Sequence, residues 1–125
     1  MLIKGRSDDI IDLNGQEVQQ LYLRDCHRVS VKNFRVTVTD GGKAAPVVGC
    51  SDVVIEDFAM HGAAGLDADP LAYLGWNQAA WQASGIRGLA VAGSARITAR
   101  NGEIVGFRGG VQMNGPGMTM EALKV

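Results

Sequence analysis

Cysteine is scarce in this 125-residue chain. Cys26 and Cys50 are the only two, too few for a disulfide-built scaffold and without Cys-x-x-Cys spacing for redox or metal chemistry. Neither sign of charge is in excess: 12 Lys and Arg face 13 Asp and Glu, for a formal net charge of -1. That balance removes the electrostatic case for nucleic acid or an anionic membrane surface. No apolar run approaches the ~18 residues of a membrane-crossing helix, so no membrane span is expected. The opening Met1-Leu2-Ile3-Lys4-Gly5-Arg6 lacks the basic-then-apolar layout of a secretory signal. His27 and His61 are the only histidines. The chain contains no Ser-His-Asp, His-Glu-x-x-His or phosphate-loop pattern. Proline is limited to 3 residues, while glycine reaches 17 without a collagen-like period, which suits many tight corners. A hydrophobic fraction of 46% and this length fit one folded domain over residues 1–125.

What is present is a repeat. Val29-Ser30-Val31-Lys32-Asn33-Phe34-Arg35-Val36 returns as Val53-Val54-Ile55-Glu56-Asp57-Phe58-Ala59-Met60 and as Ile97-Thr98-Ala99-Arg100-Asn101-Gly102-Glu103-Ile104. Weaker copies begin at Ile11 and Met118. Anchors at 11, 29, 53, 97 and 118 are spaced 18, 24, 44 and 21 residues apart. A second strand pattern precedes each later anchor: Leu21-Tyr22-Leu23, Pro46-Val47-Val48, Leu89-Ala90-Val91 and Val111-Gln112-Met113. It starts 7 or 8 residues before the anchor every time, so length variation collects on one edge, where repeat proteins place binding loops.

Alternation sends Val29, Val31, Val53 and Ile55 to the interior and Ser30, Lys32, Val54 and Glu56 outward. Asn33, Asp57 and Asn101 share a corner position, where a short polar residue tolerates left-handed backbone. The aromatic after the corner turns back inside, so Phe34 should stack on Phe58. Cys26 and Cys50 each lie three residues before an anchor, in line with Ser94 and Gly115. This reads as a row of small buried residues, while adjacent passes are close enough to permit a disulfide.

Residues 62–85 interrupt the repeat. Asp69 before Pro70 reads as a helix cap with proline at the first helical position. Leu71, Leu74, Ala80 and Trp81 suggest a helical turn or two. Three of the seven aromatics, Tyr73, Trp76 and Trp81, fall here, as a stacking platform for sugars, an anchor for another subunit, or a loop folded onto its own scaffold.

The Val-x-Val-x-Asn-Phe-x-Val line, with glycine-containing strands ahead of each copy, resembles the right-handed parallel β-helix family of pectate lyase-like enzymes and phage tailspikes. The resemblance spans nearly all of the chain outside residues 62–85. It implies an all-β, single-stranded right-handed parallel β-helix (solenoid) of about five coils with one loop or helical insertion near residues 62–85. One fold hosts unrelated functions, so the site residues matter more.

Family members acting on acidic polysaccharides use carboxylates with a basic residue, sometimes with calcium. Here Asp8, Asp9 and Asp12 read as solvated. Asp67 and Asp69 are two residues apart but lack the rest of a calcium loop. No catalytic set, metal or cofactor is assigned. His61, Asp67 and Arg108 are the candidates a catalytic reading would use, and Asp67, Asp69, Tyr73, Trp76 and Trp81 are the ligand or interface candidates.

The chain opens on Leu2-Ile3 in a second-strand position and closes on Val125 in a first strand, with no capping helix. Bare strand edges invite pairing. The expectation is therefore either a piece of a longer chain or a subunit whose edges are covered by partners. The leading reading is a structural or interaction subunit of a phage-like particle: capsid decoration, or a tail or spike component. Its partners are further copies (a trimer, on the spike resemblance), other particle subunits and surface polysaccharide. It would sit in the virion and assemble in the cytoplasm, or be extracellular if the chain is a fragment of a secreted protein. The alternatives are a polysaccharide lyase or glycoside hydrolase, whole or in part, and a non-catalytic glycan-binding module.

Overall fold

The computed structural model describes residues 1–38, 42–62 and 85–125. Ten strands follow one another: β1 (Leu2–Lys4), β2 (Ser7–Val18), β3 (Tyr22–Arg24), β4 (His27–Thr37), β5 (Lys43–Val48), β6 (Ser51–His61), β7 (Gly85–Ala92), β8 (Ala95–Val105), β9 (Phe107–Met113) and β10 (Thr119–Lys124). The chain alternates between two five-stranded sheets. One runs β1-β3-β5-β7-β9 and the other β2-β4-β6-β8-β10, with every pairing parallel.

This corrects the expectation of a single-stranded right-handed parallel β-helix. Each pass is broken at backbone corners into two distinct strands, and each strand bonds only within its own sheet, giving two parallel sheets. No helix is found among the described residues, and the helical turn read at Asp69-Pro70 lies outside them. β6 pairs directly with β8, and β5 with β7. The 44-residue interval is thus one pass plus an insertion that adds no strand between these neighbours.

The repeat sets the register. Val29, Val53 and Ile97 are aligned partners, as are Val31, Ile55 and Ala99, then Val36, Met60 and Ile104. All nine are buried. Leu23, Val47 and Val91 form the matching row in the other sheet. Phe34 and Phe58 stack with centroids 5.6 Å apart at 13°, in the way the repeat predicts. The ring of Phe58 occupies the side-chain space of the next residue in that row, Gly102, where an added Cβ would fall inside the ring's van der Waals surface.

Left-handed backbone recurs in three rows. One runs Gly5, Asp25, Gly49, Gly93; a second Asp8, Arg28, Asp52, Arg96; a third Asn14, Asn33, Asp57, Asn101, Ala122. Such a residue costs roughly 1–2 kcal/mol unless it is Gly, Asn or Asp. The third row resets the alternation: Lys32 and Asn33 both look outward, and Phe34 returns to the core. In the second row each guanidinium forks onto the carboxylate of the preceding pass. Arg28 donates from Nε and Nη2 to Asp8 at 2.6 and 3.1 Å, and Arg96 does the same to Asp52 at 2.6 and 2.9 Å.

The charges alternate in further columns. Asp12, Lys32, Glu56, Arg100 and Glu121 are successive partners across the outer face of the second sheet, with Arg100 Nε 2.8 Å from Glu56 Oε2. Unlike charges in adjacent strands favour this register, and a slip would oppose like charges.

The cysteines are free and buried. The Cys26 amide donates to Cys50 Sγ at 3.5 Å, and the Cys50 amide to Ser94 Oγ at 3.0 Å. The thiols donate in turn to the carbonyls of Arg24 and Val48, both at 3.4 Å. Of the two sequence readings, the row of small buried residues is the one found. Burial pushes the Cys50 thiol pKa up, which keeps it protonated and unreactive.

Candidate functional site

Of the residues singled out in the sequence, Asp67, Asp69, Tyr73, Trp76 and Trp81 lie outside the described residues. His61 and Arg108 lie within them. His61 ends β6, in register with Thr37 and Val105, at the point where the chain leaves for the insertion. The next residue, Gly62, donates its amide to the Val105 carbonyl at 2.9 Å and packs against the Gly106 carbonyl and the Phe107 ring. Arg108 follows Phe107 on β9 and is half-buried. Both candidates therefore sit on the margin where β6 ends and β9 begins.

The structure adds two partners there. His61 Nε2 is 3.2 Å from Glu103 Oε2, and Lys124 Nζ is 3.3 Å from Glu103 Oε1. The carboxylate is shared between an imidazole and an ammonium. Glu103 and Lys124 both follow the left-handed corner by two residues, at Asn101 and Ala122, and are aligned partners. That offset was available in the sequence, but it takes the cross-strand register to bring Glu103 beside a histidine 42 residues away. One carboxylate flanked by two bases can orient an imidazole or hold an anion-binding group in place. It does not supply the two carboxylates ~5–9 Å apart that glycoside hydrolysis uses.

A second feature lies along the third row of corners. Asn14, Asn33, Asp57 and Asn101 line an open groove of about 520 Å³, with Phe34 and Phe58 also lining it and Arg35 at its side. The corner turns the chain outward at each pass, while Gly15 and Ala59 leave room between the larger side chains. Asp12 anchors one end: its Oδ1 accepts the Asn14 amide at 2.9 Å and Asn33 Nδ2 at 3.1 Å. The Asn14 amide bond, then Asn33, hold the Asp12 carboxyl below its ordinary pKa. Side-chain amides repeated at strand spacing beside a guanidinium can hydrogen-bond a polyhydroxylated or acidic chain laid across the strands. The sequence marked these residues as a scaffold corner and gave no sign of the groove, because its walls come from different passes.

Elsewhere on the described surface Asp8, Asp52 and Glu56 are held in ion pairs with Arg28, Arg96 and Arg100. The Arg28 hydrogen bond keeps Asp8, and the Arg96 hydrogen bond keeps Asp52, below the usual carboxylate range. Among the described residues no group of three or more His, Cys, Asp or Glu is arranged to hold a metal ion, and no helix is long and apolar enough to cross a membrane. Compared with protein-family models, curated proteins and solved structures, the chain matches none.

Proposed function

We propose that the chain is a structural, interaction-making subunit of a phage-like particle, either a capsid decoration or a tail or spike component. It works in the virion as a homo-oligomer, assembled in the cytoplasm alongside other particle subunits. The trimer is taken from the spike resemblance. One observation carries this reading: three arginine–carboxylate pairs on the outer surface tie neighbouring passes to one another. Asp8 with Arg28, Asp52 with Arg96 and Glu56 with Arg100 each bridge neighbouring passes. The Asp8 and Asp52 carboxylates, held ionised by their arginines, serve register and not proton transfer. Among the described residues, the surface left for recognition is the asparagine-lined groove, which is suited to surface glycans.

A panel of acidic and neutral polysaccharides tests this. Binding without release of reducing ends or unsaturated products is expected, and depolymerisation would overturn it. Of the second reading, a polysaccharide lyase or glycoside hydrolase, the His61–Glu103 pair beside the insertion favours the lyase form. It predicts product release that is abolished by both His61→Ala and Glu103→Gln.

A further inference from the structure

Three asparagines are followed directly by glycine: Asn14-Gly15, Asn101-Gly102 and Asn114-Gly115. Glycine has no side chain to shield its amide nitrogen, so the asparagine side chain before it is open to attack by its own backbone. The attack needs the link between the two residues to rotate until the glycine nitrogen reaches the asparagine Cγ. Backbone that is paired or tethered on both sides resists that rotation, and only local opening permits it.

The fold treats the three dipeptides differently. Around Asn101 the pairing is unbroken: Arg100 aligns with Glu56 and Gly102 with Phe58. The Phe58 ring also fills the side-chain space at Gly102. Asn114-Gly115 is tied to the preceding pass on both sides. The Asn114 amide donates to the Val91 carbonyl at 3.1 Å, and the Arg96 amide donates to the Pro116 carbonyl at 2.8 Å. Gly115 itself backs onto the Ser94 carbonyl.

At Asn14 the pairing is interrupted. Asp12 aligns with Lys32 and Gln16 with Phe34, so residues 13–15 together stand opposite Asn33 alone. A bulge leaves its extra residues out of the ladder. This break lies in the pairing with β4, so it is independent of what flanks β2 on its other side. Asn14 stands exposed at the corner, and its amide bonds back to Asp12 Oδ1 at 2.9 Å, within β2 itself.

We propose that Asn14-Gly15 is a site of spontaneous deamidation, and that the fold protects the other two dipeptides. Hydroxide takes the Gly15 amide proton, the nitrogen bonds to Asn14 Cγ, and the Cγ–Nδ2 bond breaks. The side-chain nitrogen leaves as ammonia with a proton from the water just formed, which regenerates the hydroxide. Water then opens the five-membered ring. Opening at Cγ leaves an aspartate; opening at the backbone carbonyl leaves an isoaspartate, whose main chain runs through Cβ. Either product sets a second carboxylate beside Asp12 at the head of the asparagine-lined groove, so that corner turns acidic as the protein ages. The reaction needs only water, and it holds whichever role the groove has.

The test is peptide mapping of the full wild-type chain during storage in mildly alkaline buffer, folded and in urea, with each of the three sites followed separately. In urea the three should convert at similar rates. In the folded chain Asn101 and Asn114 should fall at least ~10-fold behind Asn14, because paired backbone opens less often than a bulge. Equal rates at the three sites in the folded chain, or no conversion at Asn14, would overturn the proposal. A lead of Asn14 that is just as large in urea would overturn it too, since the bulge would then not be the cause.

Discussion

β2 and β10 stand at opposite ends of the same sheet and descend from the same repeat. β2 is the longer, at 12 residues against 6, and is crowded with acid: Asp8, Asp9, Asp12 and Glu17. β10 is short, with one acid and one base, and exposes Met120. Asp8 is bound by Arg28 and Asp12 by Asn14 and Asn33, so the charge on β2 is organised by the strand behind it. The pattern that builds a buried strand in the middle can thus be tuned at its ends by two or three inward positions. In β2 a carboxylate, Asp9, takes the place that Val29 fills in the next strand, whereas β10 keeps a methionine, Met120, in line with Ala99.

The strongest way to break that comparison is to move along one row from the middle to the open edge. Ile55 is fully buried between Val31 and Ala99, so Ile55→Ala should cost about 2–5 kcal/mol in urea denaturation. Met120→Ala, in the same row and 57% exposed, should cost less than about 1 kcal/mol. Equal losses would show that burial does not grade from centre to edge.

Next in size is Gly102→Ala. The new methyl meets the Phe58 ring and should cost roughly 1–3 kcal/mol by overpacking. Adding Phe58→Leu should recover part of the loss, since the smaller side chain vacates that space. No recovery would mean that the backbone, not the ring, resists.

A smaller effect of opposite sign is expected at the open edge. Ala122 holds left-handed backbone with φ 51°, where an L side chain is strained. Ala122→Gly should raise stability by about 0.5–1 kcal/mol. At the same corner position in the middle of the sheet, Asn33→Ala should lower it by about 1 kcal/mol, through loss of a tolerant residue and its Asp12 bond. A loss at both positions would contradict the corner assignment.

The smallest effect concerns acid. Asp8, Asp12 and Asp52 have carboxyl pKa values lowered by folding. Their contribution is complete above the unfolded value of about 3.9 and is lost as pH falls through the lower folded values. Acidification below about pH 4 should therefore loosen β2, which holds two of the three, before β10, as amide exchange would record. Asp52→Asn should flatten the acid limb of stability slightly, and added salt should shrink the difference.

Much of the scaffold was legible because its signal is local and repeated. The anchors at Val29, Val53 and Ile97 and the Phe34–Phe58 pair hold in the cross-strand register, and the two cysteines are free and buried. The first anchor slipped by two. Ile11 was taken as the equivalent of Val29, but Ile11 aligns with Val31 and Asp9 with Val29. The pattern sought an apolar residue where the edge has placed a charge. Pro46 slipped by one, since Ala45 is the partner of Leu89; alanine gives too weak an apolar signal to mark the strand's start. The division of each pass between two sheets was not legible, because the left-handed positions include Arg28 and Arg96, which nothing local marks as corners. The groove and the His61–Glu103–Lys124 group escaped for a different reason. Their members come from separate passes, and only the strand pairing brings them together.

The contrast between the two ends of the sheet is tested most directly by residue-resolved hydrogen exchange. The account predicts the highest protection in β4, β6 and β8, less in β2, whose acids are tied to β4, and least in residues 119–124. Protection in β10 equal to that of β6, or above that of β2, would contradict it.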